Sequence, residues 1–270
     1  MTTPLIILSG LVKRYGAFTA VEDLSLEVAE GEVFALLGPN GAGKTTTIRL
    51  LMGILQPTAG RVQILGMDCG VDRATIMQHV GYVPDEPEFY DYLRARELLQ
   101  FVGQMHGLAA GELTERIGEL AGQLDLTDVL EEFAVNFSHG MKKKLAAASA
   151  LLHRPKLLIL DEPTNGLDPY ATRTMHELIA RHADAGGSVF LSTHLLDQAE
   201  RLSDRVGILV GGHLRACGNL EELRRQVESD ASLEEVFFAL TSTDQAPPPS
   251  SPNGQAAPSA SPPPEAKGQG

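Results

Sequence analysis

Three short runs in this chain carry residue types suited to phosphate chemistry. GPNGAGKTT, Gly38 to Thr46, reads G-x-x-x-x-G-K-[ST]. Its glycines let backbone N–H groups turn inward around an anion, and a helix opening at its end adds a favourable dipole. Lys44 would supply a point charge to the β- and γ-phosphates of a nucleotide, and the Thr45 hydroxyl can ligate Mg²⁺. Gly38, Pro39, Asn40, Gly41, Ala42, Gly43 and Thr46 complete the loop. The second run, LLILDEP (Leu157 to Pro163), ends in Asp161 and Glu162. Asp161 would hold Mg²⁺ through water, and Glu162 would polarise the attacking water. Alone, the pair is better read as an acidic turn before Pro163; beside the phosphate loop the chemical reading prevails. The third run, SVFLSTH, ends at His194. That residue would lie near the γ-phosphate if its strand neighbours LLILDE. A lone histidine is usually structural, so this assignment rests on position. The other histidines lack metal-ligand spacing, and no zinc site is expected.

These residues need a scaffold of short buried strands. EVFALLG is a continuous apolar run ending at glycine, as a buried parallel strand does. TTTIRLLMGIL predicts a helix, stopped at Gln56-Pro57. RVQILG, LLILDEP and SVFLSTH read as further strands, LLDQAERL as a helix, and RVGILVGGHLRAC as a hairpin through Gly211-Gly212. Strands separated by helices imply an α/β parallel sheet. Between Arg94 and His153 the pattern changes. ARELLQFVGQM, LTERIGELAGQL and MKKKLAAASALL repeat apolar residues at helical spacing, which predicts a helical insertion.

Composition bounds the rest. With 270 residues, 43% hydrophobic and 21% charged, the chain reads as globular and soluble. A net charge of -13 disfavours a nucleic-acid partner. Two cysteines, Cys69 and Cys217, fit a reducing cytosol. The N-terminal MTTPLIILSGLVKRYG shows no signal-peptide pattern, and no apolar run reaches the ~18 residues of a membrane span. Residues 241–270 hold half of the 16 prolines and no large apolar residue, which predicts a disordered Pro/Ser/Ala-rich tail.

Taken together, the motifs resemble the ATP-binding subunit of ATP-binding-cassette (ABC) transporters over nearly the whole folded length. FSHGMKKKL, Phe137 to Leu145, is similar to the family's LSGGQ signature, with His139 and Met141 as variants. LLILDEPTNGLD holds the Walker B strand and the D-loop, Asn165 to Asp168, and His194 falls at the switch histidine. Tyr15 sits where the family stacks an aromatic ring on adenine. The resemblance implies a P-loop NTPase (RecA-like) fold, with a mixed α/β sheet core, an antiparallel β portion and an inserted all-helical subdomain. The core would span about 1–85 and 155–217, the helical subdomain about 86–154, and a short C-terminal helical piece about 218–240. It also implies ATP and Mg²⁺ as cofactors, hydrolysis with Glu162 as base and His194 as orienter, and two ATP molecules sandwiched in a dimer with itself or a paralogue. Ser138 can cap a helix running from about Met141, so Ser138 and Gly140 would present donors to an anion, in the family the partner subunit's γ-phosphate.

The SHGM signature, NGLDP after DEPT, and the C-terminal GHLRACGNLEELRR and SLEEVFFALT resemble ATPases that pair with type-2 export permeases. Those handle drugs, lipids, polysaccharides or ions. The implied partner is a separate membrane permease, and the implied location is the cytoplasmic face of the cell membrane. The competing class is a soluble ABC ATPase acting on ribosomes or DNA. Such proteins usually carry two cassettes or a long coiled-coil insertion. A small-molecule kinase would lack the SHGM and NGLD elements. One departure concerns GYVPDEPEFYDYL, Gly81 to Leu93, which falls at the family's Q-loop. Asp85 stands where the family has glutamine. A carboxylate there can ligate Mg²⁺ or orient the water, with Glu86 next to it as a substitute. Phe89, Tyr90, Tyr92 and the carboxylates from Asp85 to Asp91 become candidates for docking the permease.

Overall fold

The structure is a computed structural model and describes residues 4–226 and 232–241. The expected tail lies, from residue 242 onward, outside the described residues. Two long antiparallel strands open the chain, β1 (Pro4–Tyr15) and β2 (Phe18–Ala29). β3 (Val33–Leu37) leads through the phosphate-loop segment into α1 (Lys44–Leu51). β4 (Ala59–Ile64) returns beside β1, β5 (Met67–Asp68) adds an edge, and α2 (Arg73–Met77) leads to β6 (Val80–Val83). Next come α3 (Ala95–Met105), α4 (Ala110–Gln123) and α5 (His139–Leu151). β7 (Leu157–Asp161), α6 (Pro169–Asp184), β8 (Ser188–Thr193) and α7 (Leu196–Leu202) follow. The hairpin β9 (Arg205–Val210) and β10 (His213–Gly218) precedes α8 (Leu220–Gln226) and α9 (Leu233–Thr241).

Two sheets result. One is antiparallel, in the order β2-β1-β4-β5; the other runs β10-β9-β3-β8-β7-β6. In the second sheet β9, β3, β8, β7 and β6 are parallel, and β10 closes the edge antiparallel. β8 therefore lies between β3 and β7, with Leu37 opposite Thr193 and Asp161 opposite Ser192. That order brings the phosphate loop, the Asp161-Glu162 pair and His194 to one sheet edge. Ligands gather at the carboxyl ends of strands in such sheets.

Every residue of β3, β7 and β8 is buried, because both faces of the sheet are covered. The strand period of two divides them. Val33, Ala35, Leu37, Leu158 and Leu160 face the core shared with the helices. Phe34, Leu36, Leu157 and Ile159 face the core shared with α1 and the antiparallel sheet. Phe34 and Phe190 stack at 5.5 Å between β3 and β8. Fully burying each such side chain contributes about 1.5–3 kcal/mol, so this sheet is the rigid platform of the site.

The helical segment packs Leu98 and Leu99 of α3, Leu113, Ile117 and Leu120 of α4, and Leu145 and Ala148 of α5 into one buried cluster. These are the apolar positions the helical spacing predicts. α5 starts two residues earlier than expected, at His139, because Ser138 is itself the cap. α6 is not among the elements expected from the sequence. Asp168 caps it, Pro169 fills its first turn, and Ala171, Met175, Leu178 and Ile179 form its buried stripe. β1 is also irregular, since register shifts along its pairing with β2 break simple alternation.

Candidate functional site

The phosphate loop is shaped by what its glycines leave out. Gly43 has φ +105, and a Cβ there would lie 2.4 Å from the Ala20 carbonyl oxygen. At Gly38 a Cβ would lie 2.3 Å from the Leu209 carbonyl oxygen. Backbone strain and overpacking each cost about 1–3 kcal/mol. Gly43→Ala is therefore expected to melt about 4–24 °C below the native chain, from about 2–6 kcal/mol lost. A thermal melt unchanged within experimental error would refute this account of the loop.

Lys44 is buried on α1 and donates to the carbonyl oxygens of Gly38 (2.7 Å) and Pro39 (3.2 Å). Its Nζ also stands 3.2 Å from Glu162 Oε1. A cavity of about 260 Å³ lies over the loop, lined among others by Phe18, Asn40, Lys44, Thr45, Asp85 and Glu162. Tyr15, 46% exposed, ends β1 opposite Phe18 and is not among the residues lining that cavity. Phe18, 63% exposed, is. The sequence reading missed Phe18; its position three residues beyond Tyr15, across a two-residue turn, is the signal that could have found it.

Asp161 is buried at the end of β7. Its Oδ1 accepts from Ser192 Oγ (2.6 Å) and Thr45 Oγ1 (3.3 Å). Burial pushes its carboxyl above the usual range, and the Ser192 and Thr45 hydroxyls pull it back in part. A buried carboxylate that accepts from the hydroxyl of Thr45, a residue lining the cavity, fits a divalent cation. Thr45 and Asp161 are the residues that could hold Mg²⁺.

Glu162 is 8% exposed and sits at φ +46, unusual for a residue other than glycine. Its N–H is held by the Ser192 hydroxyl (3.1 Å) and carbonyl oxygen (3.2 Å). Its carboxylate bridges two groups, with Oε1 near Lys44 and Oε2 2.9 Å from His194 Nδ1. The structure thus joins Lys44, Glu162 and His194 directly. Ser192 tethers the Asp161 carboxylate and the Glu162 main-chain N–H, and was not singled out from the sequence, where it is one more residue of a strand-like run.

Ser138 accepts from the Met141 N–H at 3.3 Å, the hydrogen bond of a helix cap. His139 is exposed, and its Nε2 stands 3.1 Å from the Asn165 carbonyl oxygen. Within one chain, Ser138, His139, Gly140 and Met141 are not among the residues lining the phosphate-loop cavity. Asp85 does line it. Its Oδ1 accepts from Lys143 Nζ and Asn165 Nδ2, both at 3.2 Å. Phe89 packs partly buried against the helical core, whereas Tyr90 and Tyr92 are exposed with ring centroids 5.8 Å apart. Among the described residues no helix is long and apolar enough to cross a membrane.

Comparison with known proteins supplies independent findings. A family model described as ABC transporter matches residues 21–165. The "Uncharacterized ABC transporter ATP-binding protein YdbJ" of Bacillus subtilis (strain 168) is 41% identical over 222 residues, spanning 82% of this chain and 71% of that one. The "Linearmycin resistance ATP-binding protein LnrL" of the same organism is 36% identical over 222 residues, with the same shares. A solved structure described as "Structure of ATP binding subunit of ABC transporter" superposes with a TM-score of 0.83 at 36% identity, covering 87% of this chain and 99% of that one.

Proposed function

From the premise that this chain belongs to the ABC transporter family, as an ATP-binding subunit that hydrolyses ATP, we propose that two such subunits sandwich ATP to power export through a separate membrane permease. The partner in the sandwich is a second copy or a paralogous subunit. The subunit works at the cytoplasmic face of the cell membrane. Residues of about 86–154 act as a subdomain that moves against the core.

The observation that carries the mechanism is the Glu162 carboxylate, buried at the rim of the phosphate cavity between Lys44 and His194. The γ-phosphate draws Lys44 away from Glu162, because several phosphate oxygens outcompete one carboxylate oxygen. Glu162 is then free to accept the proton of the attacking water, with His194 holding the carboxylate's other oxygen and contacting the γ-phosphate. Tyr15 stacks on the adenine, and the backbone from Gly38 to Thr46 binds the phosphates. Thr45 and Asp161 would hold Mg²⁺, with Asp85, held by Lys143, as a third candidate ligand. When bound, the cation neutralises charge on the β- and γ-phosphates. The start of α5, Ser138 to Met141, with Ser138 and His139 exposed, offers its donors to the other subunit's ATP.

The permease docks beside Tyr90 and Tyr92, whose exposed rings flank carboxylates. Export of a drug-like compound is supported by the SHGM and NGLDP variants and by a relative named for linearmycin resistance. The test is co-expression with the permease of a neighbouring reading frame, followed by reconstitution in vesicles. Co-purification and ATP hydrolysis stimulated by the permease are expected, with both lost in Tyr90→Ala/Tyr92→Ala. A subunit that never copurifies, and hydrolyses ATP equally with and without the permease, overturns the transport reading.

A further inference from the structure

Among the described residues, only two lysines are buried, Lys44 and Lys143, and both address Glu162. Lys44 faces its carboxylate. Lys143, 0% exposed in the second turn of α5, donates through Nζ to the Glu162 main-chain carbonyl oxygen. The same ammonium donates to Asp85 Oδ1 at 3.2 Å. Asp85 in turn accepts from Asn165 Nδ2, and the Asn165 carbonyl oxygen meets His139 at the head of α5. One closed set of contacts therefore links the helix that begins at the signature, the acidic loop after β6, the turn after Glu162 and the backbone of Glu162.

A buried lysine is costly unless its charge is matched, so its placement requires a reason beyond packing. Burial pushes the Lys143 ammonium below the usual lysine range, with Asp85 the main group opposing that shift. The carbonyl it holds belongs to the residue at φ +46. An alanine or methionine at position 143 would satisfy the apolar neighbours of α5, but would leave that carbonyl and Asp85 without their cation.

We propose that Lys143 is a positioning residue for ATP hydrolysis, which clamps the left-handed backbone of Glu162 and the carboxylate of Asp85 to the signature helix. The proposal rests on Glu162 being the base. It explains how a carboxylate can stand at position 85: the buried cation of Lys143 neutralises it, where a glutamine would need no such partner. Movement of α5 is transmitted to the Glu162 carboxylate through one side chain.

The test compares the full chain carrying Asp85→Asn with the chain carrying Asp85→Asn and Lys143→Met. Removing both charges together leaves no unpaired buried ion, so the double variant is expected to fold. Its kcat should fall on the order of 10²-fold below that of Asp85→Asn, since a base displaced by about 1 Å loses that much. Its affinity for ATP should match that of Asp85→Asn, because Lys143 is not among the residues lining the phosphate-loop cavity. Equal kcat in the two variants overturns the proposal, and so does an equal loss of affinity and kcat, which marks a merely structural lysine. Should the double variant not fold, Lys143→Gln carries the same comparison with the native chain, its amide still a donor, and must retain part of kcat at unchanged affinity. Glu162→Gln is measured alongside. If that variant hydrolyses ATP normally, the base assignment is what has failed; if it is inactive while the double variant keeps the kcat of Asp85→Asn, only the clamp has.

Discussion

Glu162→Gln binds ATP at least as tightly as the native chain and hydrolyses it about 10²–10⁴-fold more slowly, the usual loss when a general base is removed. The first half of that expectation comes from the nucleotide-free geometry. Glu162 Oε1 stands 3.2 Å from Lys44, the cation the phosphates need. Replacing the carboxylate by an amide removes the charge that competes for Lys44, so binding loses an obstacle. The second half comes from what remains. The amide keeps the shape and can still meet His194, but it cannot take a proton from water. With binding intact and hydrolysis blocked, the proposed ATP-bound dimer is expected to accumulate. Phosphate release in a single turnover measures the rate, and size-exclusion chromatography in ATP measures the dimer. Near-normal phosphate release from this variant would remove Glu162 from its role.

Much of this was legible in the sequence, and the reasons differ from residue to residue. The loop from Gly38 to Thr46 is local: its shape follows from glycines at positions where a Cβ would strike the Leu209 and Ala20 carbonyls. β7 is apolar up to Asp161, β8 carries Val189, Phe190 and Leu191 at its centre, and the direct pairing of the two gives the position that His194 needed. The cap at Ser138 followed from its residue type. What the sequence hides is long-range. Nothing in MKKKL separates Lys143, wholly buried, from Lys142 and Lys144 beside it, because only the fold brings Glu162 and Asp85 to it. The same holds for Ser192, which reads as strand filler until Asp161 is placed next to it. The acidic run from Asp85 to Asp91 looked uniform, yet Asp85 points into the site while Tyr90 and Tyr92 face solvent. Short-range pattern gave the frame, and ion pairs far apart in sequence had to be observed.

Lys44→Ala is expected to weaken ATP binding by about 10–100-fold and also to lower the stability of the nucleotide-free protein. A hydrogen bond to a charged group contributes about 1.5–3 kcal/mol, and each 1.4 kcal/mol is tenfold in affinity. A lysine that touched only ATP would show that loss and nothing else. Here Lys44 is buried against Glu162 and two backbone carbonyls before any nucleotide arrives. The native chain must break those contacts to bind, so the net loss of affinity is held to one or two powers of ten. The loss of stability has its own origin: the Glu162 carboxylate is left in a largely dry site without the ammonium that faced its Oε1, with His194 Nδ1 still beside Oε2. Removing one partner of a buried pair costs about 3–5 kcal/mol. Combining Lys44→Ala with Glu162→Gln separates the two effects. The double variant should recover most of the lost stability, because no carboxylate is stranded, and none of the lost affinity, because no cation meets the phosphates. Thermal melts of the four proteins and calorimetric titration with ATP read both quantities. If the double variant melts no higher than Lys44→Ala, the two side chains are not coupled in the nucleotide-free state. The release of Glu162 by incoming ATP would then lose its physical basis.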